Sequence, residues 1–421
     1  MKIWIFFHYA STPDEPFSGP FDVAKRLLEK GHQVTFFASS FSHYKFNELR
    51  LRRGEQWRME DVEGVKFIWI RTTPYCRNDW RRVMGMLLFG WRAFRIAAAL
   101  KANPDVIIGV TNHPFAALSG YCASVFKRCR FFFEVHDLWP LTLVQFGLLR
   151  ECGVIASAMS RLEMFLFQRA EQIIMVWPRM DQYGADRGIP REKFVWIPQC
   201  VDLKRYDSVR PYDGRAGNVF NIMYLGGHVN ANALPVIVRA AHILQKQQLN
   251  QVRFVFVGDG QEKANLIRLV KDLGLNNVEF RGVMPRKNLP EVMNEADAFV
   301  LSMRNLPDLY KYGISWNKLS DYLVAGRPVL LAGNPGYNPV TIAGAGISVP
   351  PENPTALAEA VKQLINMSPT QRAQMGANGR QYARQVHDSV LLASRLDRIL
   401  QPATGPRIKV MKPVENTVVQ S

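Results

Sequence analysis

Short apolar segments alternate with amphipathic helical segments along almost the whole chain. Strands that are apolar on both faces and separated by helix-length connections predict parallel sheets covered by helices on both sides. In the first half of the chain the predicted strands are residues 3–8, 33–39, 65–71, 106–110, 130–135, 172–177 and 194–197. The sequence therefore predicts a doubly wound α/β layer.

A second series of the same kind follows a segment rich in Pro, Gly and Asp that has no sustained apolar period. Its predicted strands are residues 220–225, 253–257, 278–280, 298–301, 328–331 and 346–349. Because 421 residues exceed what one core usually organises, we expect two Rossmann-like domains, at 1–200 and 218–380. A helix runs from about 370 to 400, and its part at 380–400 is expected to pack on the amino-terminal domain. The tail at 402–421 is expected to be disordered.

The net charge of +17 favours anionic partners such as nucleic acid, membranes or phosphorylated substrates. Residues 45–101 alone contain 13 Lys or Arg and 6 Asp or Glu. The helical segment at 81–101 resembles a basic amphipathic helix at an anionic membrane surface, although a core helix with a basic edge fits its spacing equally well. We expect peripheral contact with such a membrane surface.

Several classes of protein are disfavoured by what the sequence lacks. Its five cysteines are widely spaced, odd in number and form no C-x-x-C, which predicts neither a disulfide framework nor a zinc site but a reducing compartment. MKIWIFFHY reads as a first strand and not as a signal peptide, and no stretch of 18 uncharged apolar residues occurs. We therefore expect a cytoplasmic protein on the inner face of the cytoplasmic membrane. Metal-ligand spacing, G-x-S-x-G, G-x-G-x-x-G and the P-loop are missing too.

Two glycine-containing loops are candidates for ligand binding, since doubly wound sheets bind ligands beyond the carboxyl ends of their strands. YLGGHVNANAL contains Gly226 and Gly227, and VFVGDGQEKANL contains Gly258. Glycine lets the backbone approach a ligand, and the helix that follows would offer N–H groups to an anion. A tight turn between a strand and a helix also needs glycine for structural reasons alone.

The segment KYGISWNKLSDYLVAGRPVL places a lysine near a helix start. Ser315 is the predicted N-cap, which puts Lys318 at the third helical position, where a capping box would have Glu or Gln. A cation there opposes the helix dipole, and an anion between the two would remove that cost. Alternatively, Lys318 and Asp321 form an ordinary surface pair three residues apart.

In FFFEVHDLWP, His136 and Asp137 follow a predicted strand of the first domain. Such a position suits an acid, a base or a group that contacts substrate, although a hydrogen-bonded structural histidine is the commoner interpretation from the spacing alone. His8 ends the first strand in the same way.

The ordered set of motifs resembles the retaining glycosyltransferases of family 4, which have the GT-B fold of two Rossmann-like domains facing across a cleft. The resemblance extends from the first strand to about residue 400. It rests on SGP followed by AKRLLEKGHQVTFFASS, then PDVIIGVTNHPFAAL, FEVHDLWP, IPQCVDLKRY, NIMYLGGH, VFVGDGQEKANL, LGLNNVEFRGVMPRKNLPEVMNEADAFVLS and GISWNKLSDYLVAGRPV. Within the family the chain is similar to bacterial enzymes that assemble O-antigen or capsule repeat units, including transferases of N-acetyl-L-fucosamine.

The resemblance implies a role for several residues of this sequence. In the carboxyl-terminal domain, Lys318 and the amides near Ser315 would neutralise the donor diphosphate, and Asp321 would lie at the ribose. The other implied donor-site positions are Gly226 and Gly227 near the diphosphate, Gly258 in the ligand-facing loop and Val283 beside the base. In the amino-terminal domain, His136 would lie near the reacting sugar and the acceptor, and Gly19 is assigned to substrate binding. Gly313 stands where the family usually has Glu, and Arg304 is a candidate helper of Lys318.

The implied activity is retaining transfer from a nucleotide diphosphate sugar, expected to be UDP-linked and with an N-acetylated amino sugar as one option. The implied acceptor is an undecaprenyl-diphosphate-linked saccharide of O-antigen or capsule biosynthesis, and neither a cofactor nor a metal is expected. Two alternatives stay open: a sugar-nucleotide epimerase of similar architecture, and a non-catalytic scaffold for membrane or nucleic acid. Nucleic acid is the less expected partner.

Overall fold

The computed structural model describes residues 1–402 except 14, 16, 17, 44, 77, 78, 215 and 216. Of the tail predicted to be disordered at 402–421, only residue 402 is described, and residues 403–421 lie outside the described part of the chain. Within the described part, contacts divide the chain into two units. The first contains Met1–Cys200 and the helix Ser389–Leu400, and the second contains Val201–Asp388.

The first unit is built on an eight-stranded sheet with the order β10-β9-β8-β7-β1-β2-β6-β5, in which all neighbours except β5 and β6 are parallel. Its strands are β1 Lys2–Phe6, β2 Gln33–Ser39, β3 Phe41–Ser42, β4 Asn47–Glu48, β5 Trp57–Val62, β6 Val65–Ile70, β7 Val106–Thr111, β8 Arg130–Val135, β9 Ile173–Met175 and β10 Phe194–Trp196. The short strands β3 and β4 pair separately. Its helices are α1 Gly19–Glu29, α2 Trp80–Ala99, α3 Pro114–Lys127, α4 Leu141–Gln145, α5 Val154–Arg169, α6 Met180–Ala185 and α15 Ser389–Leu400.

The antiparallel strand β5 was not predicted from the sequence. It forms a hairpin with β6 through Glu63 and Gly64, whose φ angles of 51° and 88° are both positive, as a two-residue hairpin turn requires. Its residues are only half-buried or exposed, which is usual for an edge strand. The apolar pattern that predicts buried strands is therefore missing from β5.

The second unit contains a six-stranded parallel sheet in the order β13-β12-β11-β14-β15-β16. Its strands are β11 Phe220–Leu225, β12 Val252–Val257, β13 Val278–Arg281, β14 Ala298–Ser302, β15 Val329–Ala332 and β16 Gly346–Val349. Its helices are α7 Pro235–Lys246, α8 Lys263–Asp272, α9 Leu289–Met293, α10 Pro307–Tyr310, α11 Asn317–Ala325, α12 Pro339–Ala343, α13 Pro354–Asn366 and α14 Pro369–Val386. All six strands lie within one residue of their predicted bounds.

The prediction of one helix between about 370 and 400 was wrong. Helix α14 ends at Val386, and α15 begins at Ser389 after two non-helical residues. In the gap the His387 carbonyl accepts a hydrogen bond from the Val201 amide, which takes it out of the helical pattern. The break lets α14 pack within the second unit and α15 pack against α1 in the first.

Helix α2 has a buried face of small and apolar residues that packs against α3 and an outward stripe of Trp80, Val83, Met84, Leu87 and Trp91. The spacing of this stripe is helical, and all five side chains are exposed. Within the described residues, no helix is both long and apolar enough to cross a membrane.

Candidate active site

In the second unit the order of strands reverses between β11 and β14, because β12 and β13 follow on one side and β15 and β16 on the other. Ligands of doubly wound sheets bind beyond the carboxyl ends of the strands at such a point. The loops that leave β11 and β14 contact each other there. The Ser302 hydroxyl donates to the Asn232 carbonyl oxygen at 2.5 Å, and Arg304 Nη1 donates to Asn230 Oδ1 at 2.8 Å.

Lys318 reaches this reversal point from the first turn of α11. Its Nζ donates to Asn232 Oδ1 at 3.2 Å and lies 5.5 Å from the centre of the Tyr224 ring. Burial lowers the pKa of the Lys318 ammonium to about 8, because the charged form is poorly solvated. Asn232, which the sequence did not single out, therefore positions the amine where an anion would be bound.

The glycines of the two predicted loops have different roles. Gly226, with φ of 148°, lies under the lysine stem, and a Cβ at Gly226 would stand 2.5 Å from Lys318 Cδ. A Cβ at Gly258 would stand 2.2 Å from the Gly226 carbonyl oxygen, so Gly258 lets the two loops pack together. Gly227 has no such contact, since its nearest neighbour would be 3.7 Å away. Close packing alone therefore requires Gly226 and Gly258, whereas a Cβ at Gly227 would make only ordinary van der Waals contacts.

Asp321 is buried on α11, and its partners differ from those of Lys318. Its Oδ1 accepts a hydrogen bond from the Tyr206 hydroxyl at 2.6 Å and lies 3.7 Å from Arg286 Nη2. The alternative of a surface pair between Lys318 and Asp321 is wrong, because each side chain has a different partner. The ribose contact that the resemblance implies for Asp321 stays a prediction, and the internal contacts give its carboxylate a structural role as well.

The prediction that Ser315 caps α11 was wrong. Trp316 is the N-cap, with an extended backbone at φ −101° and ψ 126° and no side-chain cap, and the helix begins at Asn317. Lys318 is therefore the second helical residue. The chain stays extended one residue longer than the spacing suggested, so Ser315 precedes the helix.

Gly313, which stands where the resemblance implies Glu, has a backbone conformation that suits glycine. Its φ is 96°, in the left-handed region that side chains other than glycine rarely adopt. The residue is buried and its amide donates to the Tyr310 carbonyl oxygen in a tight turn. A glutamate would therefore be strained here. The tight turn at this position accounts for glycine in place of a carboxylate residue.

Two more cations lie at the carboxyl edge of this sheet. Arg304 forms an ion pair with Glu352, from Nε to Oε1 at 2.9 Å, which offsets part of its charge. Lys263, which no sequence pattern indicated as a site residue, donates from Nζ to the Gly258 carbonyl oxygen at 3.1 Å. Val283 is exposed just beyond the end of β13 at the same edge.

His228 follows the glycine loop and is fully buried among the rings of Tyr224, Phe256 and Phe280. Neither ring nitrogen has a hydrogen-bond partner among the described residues. Burial lowers the pKa of the imidazole to about 4, so His228 is neutral at physiological pH. His228 therefore brings no positive charge to the loop that follows Gly226 and Gly227.

In the first unit, His136 follows β8 and is buried. Its Nε2 lies 2.7 Å from Glu134 Oε1, and its Nδ1 lies 3.4 Å from Gln199 Nε2. The carboxylate of Glu134 orients the ring, as expected for a positioned imidazole. Gly19 begins α1, and its carbonyl oxygen accepts a hydrogen bond from Cys200 Sγ at 2.9 Å, a packing contact that the sequence did not indicate.

A histidine pair lies where strand order reverses in the first unit, between β1 and β7. The rings of His8 and His113 are 4.8 Å apart, and both side chains are buried. Burial lowers the pKa of both imidazoles, and the nearby Arg82 lowers it further. Arg82 comes from the first turn of α2 and donates from Nε to the Tyr9 hydroxyl at 3.2 Å. Of this group only His8 was noticed in the sequence.

Each unit thus presents polar groups at the carboxyl edge of its sheet, and in the second unit they surround a half-buried amine. This arrangement can neutralise an anionic group that leaves during a reaction. No group of three or more His, Cys, Asp or Glu side chains within the described residues could hold a metal ion.

Comparison with known families agrees with this architecture. The model described as Glycosyltransferase Family 4 matches residues 21–205, and the model described as Glycosyl transferases group 1 matches residues 214–382. The chain belongs to the family 4 glycosyltransferases of GT-B fold and is a glycosyltransferase.

Individual relatives are distant but extend over most of the chain. A protein of Escherichia coli strain K12, named as a colanic acid biosynthesis glycosyl transferase, WcaI, is 23% identical over 82% of this chain and 87% of its own length. Sucrose-phosphate synthase from Thermosynechococcus elongatus is 16% identical with a TM-score of 0.71, covering 94% of this chain and 98% of that one. HepE of Anabaena, solved in complex with UDP and glucose, is 18% identical with a TM-score of 0.65, covering 95% and 98%. At these identities the solved structures establish the fold.

Proposed function

We propose that the chain transfers a sugar from a nucleotide diphosphate sugar, UDP-linked, to a lipid-linked saccharide in bacterial surface polysaccharide biosynthesis. The observation that supports this most is the half-buried Lys318 amine at the reversal point between β11 and β14. The complex of HepE with UDP and glucose, and the naming of WcaI for colanic acid biosynthesis, agree with the proposed donor and pathway class.

In the proposed reaction the acceptor hydroxyl attacks the anomeric carbon from the face that the diphosphate leaves, so configuration is retained. The bond from the anomeric carbon to the diphosphate oxygen breaks, a bond to the acceptor oxygen forms, and the hydroxyl proton passes to the diphosphate. Lys318 neutralises the leaving charge and Arg304 assists, without a metal ion. His136, held by Glu134, lies in the unit to which the acceptor is assigned.

We further propose that the enzyme works at an anionic membrane surface. In support, the outward stripe of α2 exposes Trp80 and Trp91, and the guanidinium groups of Arg81 and Arg95 lie over these two rings at 5.8 and 5.0 Å. Arg92 of the same helix is half-buried and donates to the Arg71 carbonyl oxygen, so it does not belong to this exposed face. The exposed face thus combines aromatic and cationic side chains, the composition of interfacial helices.

Replacing Lys318 tests the donor site. We expect Lys318→Ala to lower turnover at least about tenfold, which corresponds to roughly 1.4 kcal/mol of transition-state stabilisation. With the amine pKa at about 8 in the free protein, affinity for UDP is present below that pH. It is lost as pH rises above that value, because only the ammonium form attracts the diphosphate.

The matched control is Lys271→Ala, an exposed lysine on α8. Thermal unfolding with and without UDP, measured across pH, gives the affinity change, and NMR of the product gives the anomeric configuration. Wild-type turnover in Lys318→Ala would remove the lysine from the mechanism. Formation of an epimer from a UDP-sugar without acceptor would favour the epimerase reading instead.

A further inference from the structure

A groove in the first unit is lined by none of the histidines described above. It runs between α4, one face of α5 and the end of α6, and has a volume of about 610 Å³. Its apolar lining includes Leu141 and Val144 from α4 and Met164 and Phe165 from α5. Grooves of this size hold ligands with several tens of atoms.

The same groove contains two guanidinium groups, those of Arg161 and Arg187. Arg187 is fixed in place: its guanidinium carbon lies 3.7 Å from the centre of the Tyr183 ring, and its Nη1 donates to the Tyr183 carbonyl oxygen at 3.1 Å. Arg161 is exposed, and neither arginine has a carboxylate oxygen within 4.0 Å in the described part of the chain. One carboxylate, that of Glu151, also lines the groove, which leaves a net positive charge.

Tyr183 is itself anchored below the groove. Its hydroxyl donates to Glu163 Oε2 at 2.6 Å, and both side chains are buried. Burial raises the pKa of the Glu163 carboxyl to about 8, so at neutral pH this group does not cancel the charge of the two arginines. Arg187 is therefore held by the anchored Tyr183, and the groove keeps its positive charge at neutral pH.

Large apolar side chains are exposed in the segment between α4 and the first turn of α5, the two helices that line the groove. Leu148 is 70% exposed, Val154 86% and Ile155 63%. The last two belong to the first turn of α5, which follows β8 and therefore starts at the carboxyl edge of the sheet. Helix α2 follows β6 and starts at the same edge with the exposed Trp80. One edge of this unit thus combines exposed apolar groups with cations.

We propose that the groove between α4 and α5 binds the phosphorylated isoprenoid carrier of the acceptor, with its apolar chain on Leu141, Val144 and Met164 and its phosphate at Arg161 and Arg187. An apolar chain explains the apolar lining, and a phosphate explains two guanidinium groups in one groove that have no carboxylate oxygen within 4.0 Å in the described part of the chain. This inference rests on the proposed function for the identity of the lipid. It names the place where the lipid part of the acceptor is held, separate from the donor site.

Binding of farnesyl phosphate, a water-soluble short-chain probe, tests the proposal by calorimetry on the full-length protein without vesicles. We expect saturable binding that Arg161→Glu weakens at least about tenfold, since reversing a charge replaces attraction by repulsion. Farnesol, which lacks the phosphate, and inorganic phosphate, which lacks the apolar chain, are each expected to bind much more weakly. Ser160→Trp, which fills the groove, is expected to abolish binding.

Arg268→Glu reverses an exposed arginine of the second unit and is the matched control, expected to bind the probe as wild type does. Stabilisation by UDP is measured for every variant, so a lost donor site and a lost lipid site are distinguished. Equal binding of the probe by Arg161→Glu and wild type would overturn the proposal. So would tighter binding of dispersed phosphatidylglycerol than of the probe, or a dimer in solution that Ser160→Trp disrupts.

Discussion

At the scale of single residues, neighbouring glycines provide a matched test of the donor site. Gly226→Ala would place a Cβ 2.5 Å from Lys318 Cδ at a φ of 148°, whereas Gly227→Ala meets nothing closer than 3.7 Å. We expect Gly226→Ala to lose at least about 1 kcal/mol of stability and most of its UDP affinity, because the lysine must move.

Gly227→Ala is expected to keep the wild-type melting temperature without ligand, and any loss it shows should be confined to UDP binding. Thermal unfolding with and without UDP separates the two effects. Equal destabilisation by both alanines would mean that the close approach of Gly226 to the lysine stem has no special importance.

Residues of the candidate donor site could be predicted where a local sequence pattern marks them. Lys318 and the glycine loops were found because a lysine at a helix start and glycines after strands are local signals. Asn232, which holds the lysine amine, contacts it across 86 positions of sequence, and no local pattern indicates such a pair. Gly313 was recognised as a departure, but only its φ of 96° shows why a carboxylate does not stand there.

At the scale of secondary structure elements, the buried carboxyl of Glu163 couples α5 to α6 through Tyr183. Its pKa is about 8 in the folded protein against an ordinary value of 4.5. The folded state therefore binds more protons than the unfolded state in this window. The stability that protonated Glu163 contributes is complete below about pH 4.5 and is lost as pH rises towards 8.

Glu163→Gln cannot ionise and still offers Tyr183 an acceptor. We expect the variant to gain at least about 1 kcal/mol relative to wild type between pH 5 and pH 8, as denaturant unfolding at both pH values would measure. Glu171→Gln, an exposed carboxylate paired with Arg130 in the same unit, is the control and should show no such gain. A constant difference between Glu163→Gln and wild type across this range would contradict the raised pKa.

Elements were predictable where their residues form apolar runs. Most parallel strands are such runs, so they could be located from composition, although β9 is shorter, at Ile173–Met175, than its predicted bounds of 172–177. The order of elements indicated two doubly wound layers. The edge strand β5 was missed because its side chains are half-exposed, and its only signal was the Glu63 and Gly64 turn. The break between α14 and α15 was missed because the helical pattern resumes at once, while the hydrogen bond from Val201 comes from a distant segment.

At the scale of the whole molecule, the net charge of +17 and the exposed apolar side chains together indicate a membrane-binding surface, which neither of them indicates alone. In the first unit the stripe of α2 and the first turn of α5 expose tryptophan and aliphatic side chains, and arginines flank the tryptophans. Charge attracts a protein to an anionic bilayer, and interfacial side chains then determine how firmly it stays. Both contributions should be separable by experiment.

We expect the protein to sediment with vesicles that contain phosphatidylglycerol and to remain largely free with phosphatidylcholine alone. Binding should weaken as NaCl rises from about 50 mM to about 300 mM, because the Debye length falls. The double variant Trp80→Ser and Trp91→Ser should lower partitioning at least about tenfold while leaving UDP stabilisation intact. Trp57→Ser, on the edge strand β5 of the same unit, is the matched control since its ring is also exposed. If Trp57→Ser lowers partitioning as much as the double variant does, α2 is not the membrane-binding face. If vesicle binding does not change with NaCl concentration, the basic surface is not what attracts the protein to the vesicles.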